Sequence, residues 1–196
     1  MNVFKFFAVM GALAISFSSY AQFEEKIEEL ATKNATKVAF QIAESGKESV
    51  PGLRKALTHK NLQIRQYAAA ILCELDLKVC QLDLKKKLEQ KNVSEKEKIF
   101  YASFLYSSDV EEGRDFLVEL VEKEKNISAL QTLVDAYDKQ NLDLFFKLLK
   151  MQIPEQSKLP QMANQKRLVE LCERGIRTVG TEENIKNLDS LMSRLN

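Results

Sequence analysis

Three cysteines and a single histidine have the widest chemical reach in this sequence, and their spacing limits what they can do. Cys73 and Cys80 have six residues between them and flank a short turn. Their Cα atoms can therefore come within the roughly 4.4 to 6.8 Å that a disulfide requires. The same positions suit two buried thiols on separate helix faces, and both readings stand. Cys172, between Leu171 and Glu173 in an amphipathic stretch, reads as a buried thiol rather than a nucleophile. No Cys-x-x-Cys occurs, so thiol exchange and structural zinc lack their usual spacing. His59 sits in a polar turn, Thr58-His59-Lys60-Asn61, where an imidazole acts alone; one histidine excludes every site that needs two.

Paired carboxylates are frequent: Glu24-Glu25, Glu28-Glu29, Glu111-Glu112 and Glu182-Glu183. They fall near helix starts or on polar faces, where negative charge suits the helix dipole. No histidine accompanies them, and there is no phosphate-binding glycine loop or Gly-x-Ser-x-Gly elbow. The expectation is a non-enzymatic protein with no catalytic residue, no metal and no cofactor.

The elements that hold these residues are helical. The chain has 196 residues with only six Gly and three Pro, too few for many short strands or a disordered linker. Its 29 Lys plus Arg nearly balance 28 Asp plus Glu, so the electrostatic footprint of a nucleic-acid binder is missing. Residues 1–21 read as a secretory signal peptide. Lys5 precedes an apolar run, Phe6 to Phe17, and Ser19 and Ala21 occupy the small-residue positions of a cleavage site before Gln22. That run is too short to span a bilayer, so the mature chain is expected to be periplasmic or secreted and not inserted in a membrane.

Beyond Gln22 the apolar spacing is that of helix faces. Residues 23–45 place Phe23, Ile27, Leu30, Val38 and Ile42 on one face, with a break at Asn34. Pro51 suits the first turn of a helix over 48–58, and Gly46 the end of the one before it. Asn61 caps a helix bearing Ile64, Ala68, Ile71, Leu72 and Leu75. Leu82, Leu84 and Leu88 mark a shorter, lysine-rich helix. Ser94 and Glu97 form a capping box ahead of Ile99, Ala102, Phe104 and Leu105. Further helices follow around 110–124, 127–137 and 142–151, then a loop bounded by Pro154 and Pro160, then 168–176 and 181–195. The expected organisation is a leader (1–21), helical repeats (22–153) and a capping helix pair (154–196).

The helices also repeat. Ala39 to Ala43 align with Ala68 to Leu72 at an offset of 29, and Tyr101 to Leu105 lies 33 further on. Leu53 and Leu57 align with Leu84 and Leu88 at 31, then with Leu117 and Val121 at 33. Two helices per unit of about 30 residues is the period of a solenoid, in which each hairpin buries its faces only by stacking on the next.

The segment Val50-Pro51-Gly52-Leu53-Arg54-Lys55-Ala56-Leu57, followed by Ile64-Arg65-Gln66-Tyr67-Ala68-Ala69-Ala70-Ile71-Leu72, resembles the HEAT-like repeat pattern. The match is best over about residues 36 to 90 and degenerates from 91 to 150. His59 stands where that pattern usually has an aspartate. The Trp, Gly and Pro markers of the rival tetratricopeptide repeats are absent. The resemblance implies an all-α, right-handed α-solenoid of stacked antiparallel helix hairpins that binds a protein or peptide on its concave face.

In that family the second helix of each unit lines the concave side. This puts Arg54 and Lys55 in register with Lys85 and Lys86, with Lys87 adjacent. The cluster reads either as a solvated face or as a docking surface for a partner with an acidic segment. Aromatic residues do not interleave with these lysines, which argues against single-stranded nucleic acid. The runner-up function is a helical-repeat enzyme or enzyme subunit, lyase-like by analogy with bilin-lyase relatives of the family; fold analogy is a weak warrant for chemistry.

Overall fold

The computed structural model describes residues 22–152 and 163–195. The expected leader and the Pro154–Pro160 loop lie outside the described residues. Every regular element among the described residues is helical. No helix among them is long and apolar enough to cross a membrane.

The chain forms two compact units, Met1–Val93 and Ser94–Asn196. The first contains α1 (22–29), α2 (Ala35–Glu44), a 3-10 turn (Gly46–Ser49), α3 (Val50–Ala56), α4 (Leu62–Leu75) and α5 (Leu77–Glu89). The second contains α6 (Glu95–Ser107), α7 (Glu111–Glu124), α8 (Ile127–Asp135), a 3-10 turn (Lys139–Asn141), α9 (Leu142–Gln152), α10 (Ala163–Val179) and α11 (Glu182–Met192). Within the second unit α10 packs on both α8 and α9, and α11 on α10.

Local chemistry sets the helix ends. Gly46 follows α2 with φ +67°, a conformation that costs a glycine nothing. Asn61 caps α4 by accepting the Gln63 N–H (2.9 Å), Asp76 caps α5 by accepting that of Val79 (3.2 Å), and Asn126 caps α8 by accepting that of Ala129 (3.0 Å). Only half of the expected box forms at α6. Ser94 accepts the Glu97 N–H, but the Glu97 side chain is buried and accepts the Tyr101 hydroxyl at 2.6 Å. A reciprocal box forms instead at α11, between Thr181 and Asn184.

Within the first unit α3 packs on α4, α4 on α5 and α2 on α4, around Leu30, Ile42, Leu53, Ile64, Leu72 and Leu84. In the second, α6 packs on α7, α7 on α8, and α8 on α10, around Tyr101, Leu117, Leu130, Phe145 and Leu171. Leu82 lies on α5 with Leu84 and Leu88, but not on the buried face. It is 61% exposed, because two residues from buried Leu84 is about 200° around the helix, the opposite face. Helix α5 is one residue shorter than its neighbour, 13 residues against 14 for α4.

The α6–α7 contact depends on Gly113. A Cβ there would lie 2.6 Å from both the Ala102 carbonyl oxygen and the Tyr106 nitrogen. The missing side chain lets α7 lie against the backbone of α6, and it brings Arg114 to the end of the hairpin.

Candidate functional site

Arg54 and Asp83, 29 residues apart, form a forked ion pair: Nε to Oδ2 at 2.6 Å and Nη2 to Oδ1 at 3.0 Å. The pair sets α3 beside α5, the adjacency that the repeat register implies. The Asp83 hydrogen bond and charge also hold the Arg54 guanidinium more firmly protonated. Lys55 donates to Glu24 on α1 at 2.8 Å. Two members of the expected cationic cluster are thus neutralised by carboxylates that repeat alignment did not bring forward. Lys86 is exposed, and Lys85 and Lys87 are half-buried. His59 sits between elements rather than alone. Its Nδ1 accepts the Asn61 N–H at 3.1 Å, which leaves Nε2 to donate to Glu28 at 3.1 Å, while Arg65 bonds the His59 carbonyl at 2.6 Å.

Cys73 and Cys80 are joined in a disulfide that ties the end of α4 to the start of α5, with Cα atoms 4.9 Å apart. Cys172 is free and buried, and burial pushes its thiol up to about 12. A thiol with so little thiolate is a poor nucleophile.

A broad concavity lies in the second unit, where no residue was singled out as a site from sequence. A groove of about 1120 Å3 runs between the C-terminal half of α6 and the turn that joins α8 to α9. Ser103, Phe104 and Ser107 of α6 form one wall, and Thr132, Tyr137 and Gln140 the other. Phe104, on the helix read from sequence together with Leu105, is half-exposed and lines this groove, whereas Leu105 is buried. Two lip residues, Asp109 (φ 57°) and Tyr137 (φ 53°), adopt left-handed backbone. That is tolerable for aspartate and strained for an aromatic residue. Tyr137 is nonetheless 66% exposed, with its ring at the groove mouth.

A hydrogen-bonded network fixes the groove floor. The Tyr106 hydroxyl donates to Asp138 Oδ2 at 2.6 Å and accepts from Asn141 Nδ2 at 3.1 Å. Asn141 is fully buried; its Nδ2 also donates to the Leu133 carbonyl at 3.0 Å, and its Oδ1 accepts from Arg114 Nε at 3.0 Å. Arg114 then reaches the Gln140 carbonyl at 2.9 Å. Burial, reinforced by the Asp138 hydrogen bond, pushes the Tyr106 phenol up to about 12. Burial alone would raise Asp138, but the Tyr106 hydroxyl, the Gln140 N–H and the Arg114 charge outweigh it and hold the carboxyl below its ordinary value. Both groups are therefore moved away from neutral pH, the reverse of what general acid–base catalysis requires. Among the described residues no His, Cys, Asp and Glu side chains converge in the way a metal site needs.

Polarity hid this network from sequence reading. Tyr106 lies in the last turn of α6 and Asp138 and Asn141 in the turn before α9, where polar residues are ordinary, and only their 32- and 35-residue separations, near the repeat period, carried a signal. Comparisons of the chain with protein-family models, curated proteins and solved structures gave no match.

Proposed function

We propose that this protein is a non-catalytic interaction module, a HEAT-like stack of antiparallel helix hairpins that is exported with cleavage after Ala21 and holds a protein or peptide segment. The observation that carries the reading is the open groove between α6 and the α8–α9 turn, concave and floored by a rigid polar network. Sites of this form suit an extended segment better than a small substrate, which is usually enclosed on most sides.

The stacked-hairpin arrangement draws support from bonds that recur at the repeat spacing inside each unit. Arg54–Asp83, Gln63–Leu30, Asn126–Glu95 and Tyr106–Asp138 are separated by 29, 33, 31 and 32 residues. Such bonds link equivalent levels of successive hairpins, as nearest-neighbour stacking requires. The enzyme alternative has no comparable support, since the shifted groups of the groove satisfy one another. An acidic partner for the Arg54 and Lys55 surface is also less favoured, because Asp83 and Glu24 already occupy those charges.

Photo-crosslinking tests the reading. A photoreactive side chain at Ser107, in the full chain expressed in its own cells, is expected to trap a polypeptide. The same group at Lys47, exposed in the first unit, should trap none. Equal labelling from both positions, or from neither, overturns the assignment. Sequencing of the exported product is expected to begin at Gln22; an intact Met1 would refute export by cleavage.

A further inference from the structure

We infer that the occupant of the α6/α8–α9 groove is an extended peptide segment bearing lysine or arginine beside an apolar residue; this rests on the docking reading above and adds the chemistry of the partner. Charge is the first argument. Helices α6 and α8 both end at the groove, at Ser107 and Asp135, so the negative ends of two helix dipoles meet there. Asp109, Asp135 and Asp138 line the same space, and Lys139 is the one cationic residue among its lining residues. Asp135 pairs with Arg174 at 2.9 Å and Asp138 with the Tyr106 hydroxyl at 2.6 Å, so Asp109 at the lip is the lining carboxylate that meets a partner's cation. A polyanion or an anionic lipid surface would be repelled.

Shape and surface are the second argument. The lining carboxylates do not converge as a metal site would, among the described residues. A peptide that places a cation at Asp109 fits the groove; a metal ion does not. Phe104 and Tyr137 flank the acidic residues with aromatic surface. An aromatic face beside a carboxylate receives the alkyl stem and charged head of lysine or arginine together, by apolar contact and cation–π attraction. Tyr137 is exposed at the lip on a left-handed backbone.

The test is selection of a randomised octapeptide library on the immobilised full-length mature chain, run beside Asp109→Asn/Tyr137→Asn. Asparagine tolerates left-handed backbone better than most residues, so the double variant is expected to melt like the parent while losing one charge and one ring. Selected peptides should be enriched in Lys or Arg next to apolar residues. The double variant should bind them about tenfold more weakly, and affinity should fall several-fold between 0.05 and 0.5 M salt. Acidic or uncharged peptides whose binding depends on Asp109 and Tyr137 would overturn the cationic occupant and leave the docking reading standing. No enrichment that the double variant abolishes would overturn both.

Discussion

The Tyr106 hydroxyl donates a 2.6 Å hydrogen bond to Asp138, although 32 residues separate them in the chain. It links the end of α6 to the turn between α8 and α9, and so couples the shape of the groove to the ionisation of one phenol.

That coupling has a defined pH signature. Tyr106 has its folded-state value raised to about 12, against about 10 in an unfolded chain. The stability it contributes is therefore fully present below about pH 10 and is lost as pH rises through about 12. Absorbance titration of the phenols is expected to show an ionisation near 12 that Tyr106→Phe removes. Urea unfolding midpoints of the parent should fall more steeply between pH 10 and 12 than those of the variant. If Tyr106→Phe removes no ionisation near 12, the hydroxyl is not buried against Asp138.

Asn141 carries the network's other branch. With its side chain removed, the Leu133 carbonyl loses a buried donor and the Arg114 Nε loses its acceptor, at a site with no exposure. Asn141→Ala is expected to cost about 2 to 4 kcal/mol in chemical denaturation, since buried polar groups left without partners forfeit their desolvation energy. Asn141→Asp should be no milder, because a carboxylate cannot donate to the Leu133 carbonyl. A loss below about 0.5 kcal/mol for the alanine variant would show that the network is not structural.

The helical periodicity was legible from sequence because each apolar face needs only one type of residue at a regular step. Phe23, Ile27, Leu30, Val38 and Ile42 were read as one face; the last four are buried and Phe23 is half-buried. What escaped was pairwise. Asp83 neutralises Arg54, and Glu24 neutralises Lys55; neither partner is marked by composition, since surface carboxylates occur everywhere on these helices. Repeat register placed α3 beside α5 but could not say which side chain on α5 would meet the guanidinium. Leu82 and Phe104 escaped for a related reason. Hydrophobicity alone does not distinguish a core position from a groove wall or an outer face when a helix carries leucine or phenylalanine on more than one side.

Ala69 tests the packing of the first unit. It is fully buried on α4, and the Cys80 sulfur of α5 lies 3.8 Å from its carbonyl oxygen. Ala69→Glu would drive a carboxylate into a contact that offers no cation. It is expected to destabilise by about 3 to 5 kcal/mol or to prevent folding. Ala69→Ser should cost much less, since a hydroxyl can bond the helix backbone. A glutamate variant with the parent's melting temperature would mean that α4 does not face α5 at this level.

The cysteines give a count and a reactivity pattern together. The Cys73–Cys80 bridge closes a loop of sequence separation 7, and Cys172 is buried with its thiol pushed up to about 12. The mature protein, purified without reductant, is expected to show no thiol reactive towards iodoacetamide in the native state and one after denaturation. The native silence has two causes, exclusion of the reagent and a negligible thiolate fraction at neutral pH. Reduction before denaturation should expose three thiols. Replacing both bridge cysteines, Cys73 with serine and buried Cys80 with alanine, should lower stability by about 2 to 3 kcal/mol, the chain-entropy value for so short a loop. Three reactive thiols in the unreduced, denatured protein would mean that the bridge is not formed. A Cys172 that reacts in the folded protein would mean that α10 does not cover it, and the packing of α10 on α8 and α9 would have to be redrawn.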